Sequence, residues 1–161
     1  MNKNILLLNI VCGSIVIFTY FKYLGGAIQK KIPADKLWSN IKGNYRNLYY
    51  ISMIISTFSY LYLLYYFTFV NKKNSKYIGL SMIIFFIGAI LWAPFLYYHF
   101  IHNLDKIFVY LALCLTSMGI ILLFIYTISK GNTVSKVCIT LFLFHVLFLD
   151  NLIWSIKFNE I

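Results

Sequence analysis

Residues 106–128, KIFVYLALCLTSMGIILLFIYTI, decide the fold. Beyond Lys106 the stretch contains no charged side chain. A helix rises about 1.5 Å per residue, so a run of this length crosses a hydrocarbon core of about 30 Å. Its backbone polar groups are all satisfied within the segment, which is what lipid demands of a spanning chain. Working outward, four further apolar runs of similar character lie at about 4–21, 48–70, 77–100 and 136–156. The breaks between them are VNKKNSK at 70–76, HNLDK at 102–106 and SKGNTVSK at 129–136. Each is a short polar turn rich in Asn, Gly or Ser, as expected between antiparallel helices. The expectation is an all-α polytopic membrane protein, with one domain over 1–161 and five transmembrane helices.

Composition agrees with that pattern. The chain is 61% hydrophobic, and only 18 of its 161 side chains carry a formal charge. The net charge is +10, but its placement matters more than its size. The lysines cluster at the ends of the apolar runs, where they meet anionic head groups. The turns are too short to offer the extended basic face that a nucleic acid needs, so the bilayer is the expected partner. Five spans put the termini on opposite sides. Lys3, Lys72, Lys73, Lys76, Lys130 and Lys136 fall on the N-terminal side. Lys22, Lys30, Lys31, Lys36, Lys42, Arg46, Lys106 and Lys157 fall on the other. Six against eight places the C-terminus in the cytoplasm by a narrow margin. Thirteen lysines to one arginine, with many Asn, Ile and Tyr, fit an AT-rich coding sequence. Cys12, Cys114 and Cys138 sit within apolar runs without paired spacing and read as small buried hydrophobes.

The first run is longer than a signal-peptide core and no small-residue cleavage site follows it, so it reads as a retained span. Gly25 and Gly26 are expected to break it. In the loop 22–47, Pro33 suits the first turn of a new helix. Ala34, Leu37, Trp38 and Ile41 then recur at helical spacing, with Lys30, Lys31, Lys36 and Lys42 around them. A short amphipathic helix over about 33–42 is expected to lie in the head-group plane.

Polar groups at matching depth suggest a site. Asp150 lies about 14 residues into the fifth run and Trp92 about 15 into the third, which runs the same way. Pro94 follows Trp92 and removes a backbone donor, so LWAP reads as a kink turned toward protein. Ser52, Ser56 and Ser59 form one stripe of the second run, and the first two share the half-bilayer of Asp150. Tyr110, Cys114 and His99 fall in that half as well. An acid at such depth costs about 2.5 kcal/mol or more and is a functional-site candidate by default. No Lys or Arg stands inside an apolar run; Lys157, two turns on, is free to reach the interface. Trp154, four residues after Asp150, is placed to turn its indole N–H back toward the carboxyl. His145 is about 140° round an α-helix from Asp150 and is expected on another face. The H-x-x-H-x-x-D of His99, His102 and Asp105 lacks the second cluster that a metal site needs.

Five spans in about 160 residues, rich in aromatics and with a longer first loop, resemble in layout the translocator/tryptophan-rich sensory protein family of tetrapyrrole and cholesterol binders. The Trp- and Pro-rich first loop of that family has no counterpart in IPADKLWSNIKGNYRN, where only Pro33 and Trp38 stand. The resemblance therefore ends at layout. No nucleophile elbow, phosphate-binding loop, HExxH or lipidation signal is present, and no cofactor is specified. The expected function is binding or transport of a small molecule, lipid or ion at a polar site of Asp150, Trp154, Trp92, Ser56 and His99. An accessory or assembly subunit meeting a membrane-protein partner is the alternative, and a lipid-acting enzyme the second.

Overall fold

The computed structural model describes residues 1–71 and 75–160, excluding the side chains of Ala34 and Ser75. Lys72 and Lys73, and with them the centre of the 70–76 turn, lie outside the described residues. Among the described residues there is no strand, and five helices are long and apolar enough to cross a membrane. We label the spans α1 (Lys3–Gln29), α3 (Asn44–Val70), α4 (Lys76–His102), α5 (Lys106–Lys130) and α6 (Thr133–Asn159), with a single-turn helix α2 (Ala34–Leu37) between the first two. The protein is an integral, multi-pass helical membrane protein.

Outward-facing apolar side chains make the case for lipid. Leu7, Phe21 and Phe58 are 63%, 79% and 68% exposed, and similar residues run along every span. No bundle of five helices has interior enough for them, and in water such a surface aggregates. Spans of 25 to 27 residues are about 10 Å longer than the hydrocarbon core, so their ends reach into the head groups or the helices tilt.

Helix starts follow from local chemistry. The side chains of Asn2, Asp105 and Asn132 accept from the backbone N–H groups of Ile5, Ile107 and Ser135, capping α1, α5 and α6. Gly43 precedes α3 with φ of 61°, a conformation that glycine adopts without steric cost.

The spans form a ring in the order α1, α4, α5, α6, α3. Helices α4 and α5 make the closest pair. A Cβ on Gly88 would stand 2.5 Å from the Ala112 carbonyl oxygen, and one on Gly119 would stand 2.4 Å from the Phe85 nitrogen. Small residues thus let two backbones meet, the usual device where lipid removes any hydrophobic drive between helices. Among the described residues, the ring closes between α1 and α3 at its N-terminal end. There Asn2 N–H donates to the Thr68 carbonyl at 2.7 Å, and the Tyr60 hydroxyl donates to Asn9 Oδ1. The second half of α1 packs on α4 instead.

Two expectations change. Gly25 and Gly26 do not break α1, which passes through a π-helical turn at Tyr20–Leu24 and continues as α-helix over Gly25–Gln29. Ala27 is fully buried there, and that packing overrides the low helix propensity of the glycine pair. The amphipathic stretch 33–42 is helical for only one turn, and its apolar side chains turn toward the bundle. Leu37 and Ile41 are buried in a cluster with Ala27, Tyr49, Leu96 and Trp154. Trp38 meets the rings of Tyr49 and Tyr50 edge-on at 6.3 and 5.4 Å, while Lys30, Lys31, Lys36 and Lys42 stay exposed. The segment stoppers the C-terminal end of the ring. Arg46 holds it there, donating to Asp35 Oδ1 at 2.6 Å and to the Ile41 carbonyl at 2.9 Å. That guanidinium hydrogen bond keeps the Asp35 carboxyl below the usual carboxylate range, with help from the Arg46 and Lys42 charges.

Candidate functional site

The site is built on an irregular stretch of α6. Residues Phe144–Ile153 are π-helical, with i→i+5 hydrogen bonds. This overturns the expectation that His145 and Asp150 face apart. In an α-helix five residues advance about 140° past a full turn, but the wider turn of a π-helix brings residues five apart onto the same side. His145 Nε2 accordingly lies 3.6 Å from Asp150 Oδ2. On the other side of the ring, His145 Nδ1 lies 3.0 Å from Ser52 Oγ of α3. A line of Ser52, His145 and Asp150 runs across the α3–α6 contact.

Side chains from three helices hold the wide turn open. The Tyr49 hydroxyl of α3 donates to the Leu149 carbonyl, which also accepts from the Trp154 N–H within the π-helix. Asn151 Nδ2 donates to Ser117 Oγ at 2.7 Å and to the Leu113 carbonyl at 3.2 Å, both on α5. The amide near Asp150 thus fastens α6 to α5, and the imidazole fastens it to α3. π-Helical segments are rare, and they concentrate at functional sites.

Asp150 faces the ring interior. Phe144, Phe148, Leu152 and Ile153 form the exposed side of this segment, and His145, Val146 and Leu149 the buried side. Asp150 pairs with His145, and the Tyr20 and Tyr49 side chains are close enough to interact electrostatically with its carboxylate. The side chain nevertheless retains 39% of its accessible surface, against 9% for His145. The Asp150 carboxyl is thus the accessible group of this face, next to Tyr20 of α1 and Tyr49 of α3. Among the described residues no Lys or Arg is paired with it.

The remaining candidates fall into two groups. Trp92 is near: its ring is 5.6 Å from Tyr20 and 5.7 Å from Trp154, joining α1, α4 and α6 at one level. Its Nε1 is buried without a hydrogen-bond partner among the described residues. Helix α4 continues unbroken through Pro94, with Ala93 and Leu96 on either side fully buried. Trp154 is buried at the same level, but its indole N–H donates to the Leu37 carbonyl of the stopper at 3.4 Å rather than to Asp150. Ser56 is buried in α3 one turn farther from the C-terminal end; Ser52 is the serine that meets His145.

His99 stands apart. Its Nδ1 is 2.6 Å from the Leu104 carbonyl and its ring packs on Phe158, about two turns along α6 from Asp150. Tyr110 also belongs to that end, donating to Asn159 Oδ1 at 2.5 Å, and Lys157 pairs with Glu160 at 2.9 Å. Asp105 caps α5, so H-x-x-H-x-x-D resolves into helix-end chemistry. Among the described residues, no three His, Cys, Asp or Glu side chains come together as a metal site would need.

Ser52, His145, Tyr20, Tyr49 and Asn151 are the residues that sequence reasoning left out of the site. Ser52 lay on the serine stripe, and only the π-helix brings His145 round to it. Tyr20 gave no signal, being one of 14 tyrosines. No protein-family model matches the chain, and no curated protein or solved structure does either.

Proposed function

We propose that the protein binds or moves a small molecule, lipid or ion at an intramembrane site centred on Asp150. One observation carries this reading: the Asp150 side chain is 39% accessible on a helix face whose other members are buried. An acid at this depth costs about 2.5 kcal/mol or more, while an interhelical hydrogen bond returns only about 0.6 kcal/mol on average. The ties actually made to neighbouring helices use Tyr49, Asn151 and His145, so packing does not need the carboxylate. The test is a comparison of Asp150→Asn with wild type in liposomes and nanodiscs. Asp150→Asn is expected to keep expression and unfolding behaviour while losing ligand uptake or binding. Equal loss of folded protein in Asp150→Asn and Asp150→Ala points to a structural role instead.

A second reading has its own support. The 3.0 Å contact of Ser52 Oγ with His145 Nδ1, and the 3.6 Å contact of His145 Nε2 with Asp150, align a hydroxyl, a base and an acid. That is the order in which a nucleophilic serine is activated. Labelling of Ser52 by a fluorophosphonate, lost in Ser52→Ala and His145→Gln, supports a lipid-acting hydrolase. An unlabelled wild-type protein removes this reading.

A further inference from the structure

We infer that the ligand of the Asp150 site is a lipophilic organic cation, an amine or quaternary ammonium that enters from the bilayer between α1 and α3. The inference rests on the proposed site and names what the site takes.

Charge gives the sign. The neighbours of Asp150 are His145, Tyr20 and Tyr49, and His145 is itself engaged with Ser52. With the His145 tautomer that accepts from Ser52 at Nδ1 and donates from Nε2, the imidazole brings no positive charge to Asp150, so when the acid is ionised its charge is unmatched by any neighbour. The counter-charge is thus left to a guest. A small hard cation is a poor candidate, because it needs six or more oxygen ligands in a close shell. The site offers one carboxylate, two phenols and a serine hydroxyl. An organic ammonium needs less: one acid and aromatic faces.

Aromatic surface is what this half of the ring supplies. Tyr20, Trp92 and Trp154 form a continuous set at 5.6 and 5.7 Å, and Tyr49 lies against His145 at 6.4 Å. The same half of the protein already seats ammonium groups on rings. Lys22 lies 5.3 Å from the Tyr23 centroid, Lys30 5.9 Å from Tyr97 and Lys106 5.3 Å from Phe158.

The route follows from the rim. The C-terminal end is stoppered by Leu37 and Ile41 and surrounded by Lys30, Lys31, Lys36 and Lys42, which repel a cation arriving from water. Among the described residues the α1–α3 hydrogen bonds end at Asn9 and Tyr60 and the second half of α1 packs on α4, so this seam is the lateral approach assigned to a guest dissolved in lipid.

The experiment uses the full chain in nanodiscs of zwitterionic lipid and a charge series of one shape. Octanoylcholine is the cation, 3,3-dimethylbutyl octanoate its uncharged isostere, and 2-sulfoethyl octanoate the anion. Binding is read by equilibrium dialysis and by quenching of tryptophan fluorescence. The cation is expected to bind about tenfold or more tighter than the isostere, and Asp150→Asn to remove that preference. Comparable binding of cation and isostere, or preference for the sulfonate, overturns the cation assignment. If Asp150→Asn then weakens all three alike, the site itself still stands; if no member of the series binds, the site falls too. Should Asp150→Asn fail to fold, the wild-type series alone decides, with Asp150→Glu expected to retain the preference.

Discussion

Adding one methyl group to Gly88 tests how α4 and α5 are joined. The new Cβ would lie 2.5 Å from both the Ala112 oxygen and the Thr116 nitrogen, and 2.9 Å from Thr116 Cγ2. Two of those three atoms are backbone and cannot rotate away. Comfortable carbon contacts begin at about 3.5 Å, so the helices must part by about 1 Å. A gap of 0.5–1 Å forfeits about a quarter to a half of each dispersion contact across it. In a membrane those contacts are the main force holding the pair. Gly88→Ala is therefore expected to cost about 1–3 kcal/mol, the usual range for overpacking. Gly119→Ala meets Phe85 at 2.4 Å from its nitrogen and 2.7 Å from its Cα, and belongs in the same range. The double variant should cost less than the sum, because helices already parted for one methyl have room for the other. Gly13→Ala is the control: nothing lies within 4 Å of its Cβ, and it should be neutral or slightly stabilising. Reversible unfolding in bicelles, followed by steric trapping, measures all four. A Gly88→Ala protein as stable as Gly13→Ala, or a strictly additive double variant, refutes this packing.

Three further outcomes follow from other parts of the ring. Asn151→Leu removes two hydrogen bonds to α5 and should destabilise by about 1 kcal/mol, at roughly 0.6 kcal/mol per interhelical bond; no change in bicelle unfolding argues against the tie. The Asp35–Arg46 clamp gives the stopper a pH dependence of definite sign. The folded Asp35 carboxyl titrates below its unfolded value, so the clamp is intact above about pH 4 and is lost as pH falls through the lowered value. Hydrogen exchange over 34–41, corrected for intrinsic rates, should be flat from pH 7 to about 5 and quicken below about 4. Asp35→Asn should exchange quickly throughout, and identical profiles for the two proteins contradict the clamp. Tyr49→Phe loses the hydroxyl that donates to the Leu149 carbonyl, so exchange of the Trp154 amide should quicken while that of α5 does not; an unchanged Trp154 amide shows that the π-turn does not need it.

Span number and helical class were legible because apolar length is a local property that lipid leaves little freedom to override. The depth count set Trp92 level with Asp150, whereas the α6 ring it meets is that of Trp154, four residues farther on. Azimuth was not legible. Placing His145 by α-helical rotation failed at a π-helical stretch, whose hydrogen-bond pattern is set by Tyr49, Ser52 and Asn151 reaching other helices. The Gly25–Gly26 pair misled for a related reason: propensity is a local quantity, whereas the burial of Ala27 against α4 is not. The Trp154 indole was assigned by its i+4 spacing to Asp150, but a carbonyl from Leu37, 117 residues away, claims it.

The central claim is that the Asp150 side chain stays accessible between the helices while its helical neighbours face lipid. With Cys12, Cys114 and Cys138 replaced, single cysteines at 148, 150 and 152 report this directly. Asp150→Cys should react with a small uncharged thiosulfonate able to enter from the bilayer, because such a reagent needs the ionised thiol that a polar site sustains. Phe148→Cys and Leu152→Cys, whose native residues are 48% and 55% exposed on the outer face, should ignore that reagent and react with a membrane-partitioning maleimide. An Asp150→Cys protein that behaves like these two, or resists both reagents, contradicts the account.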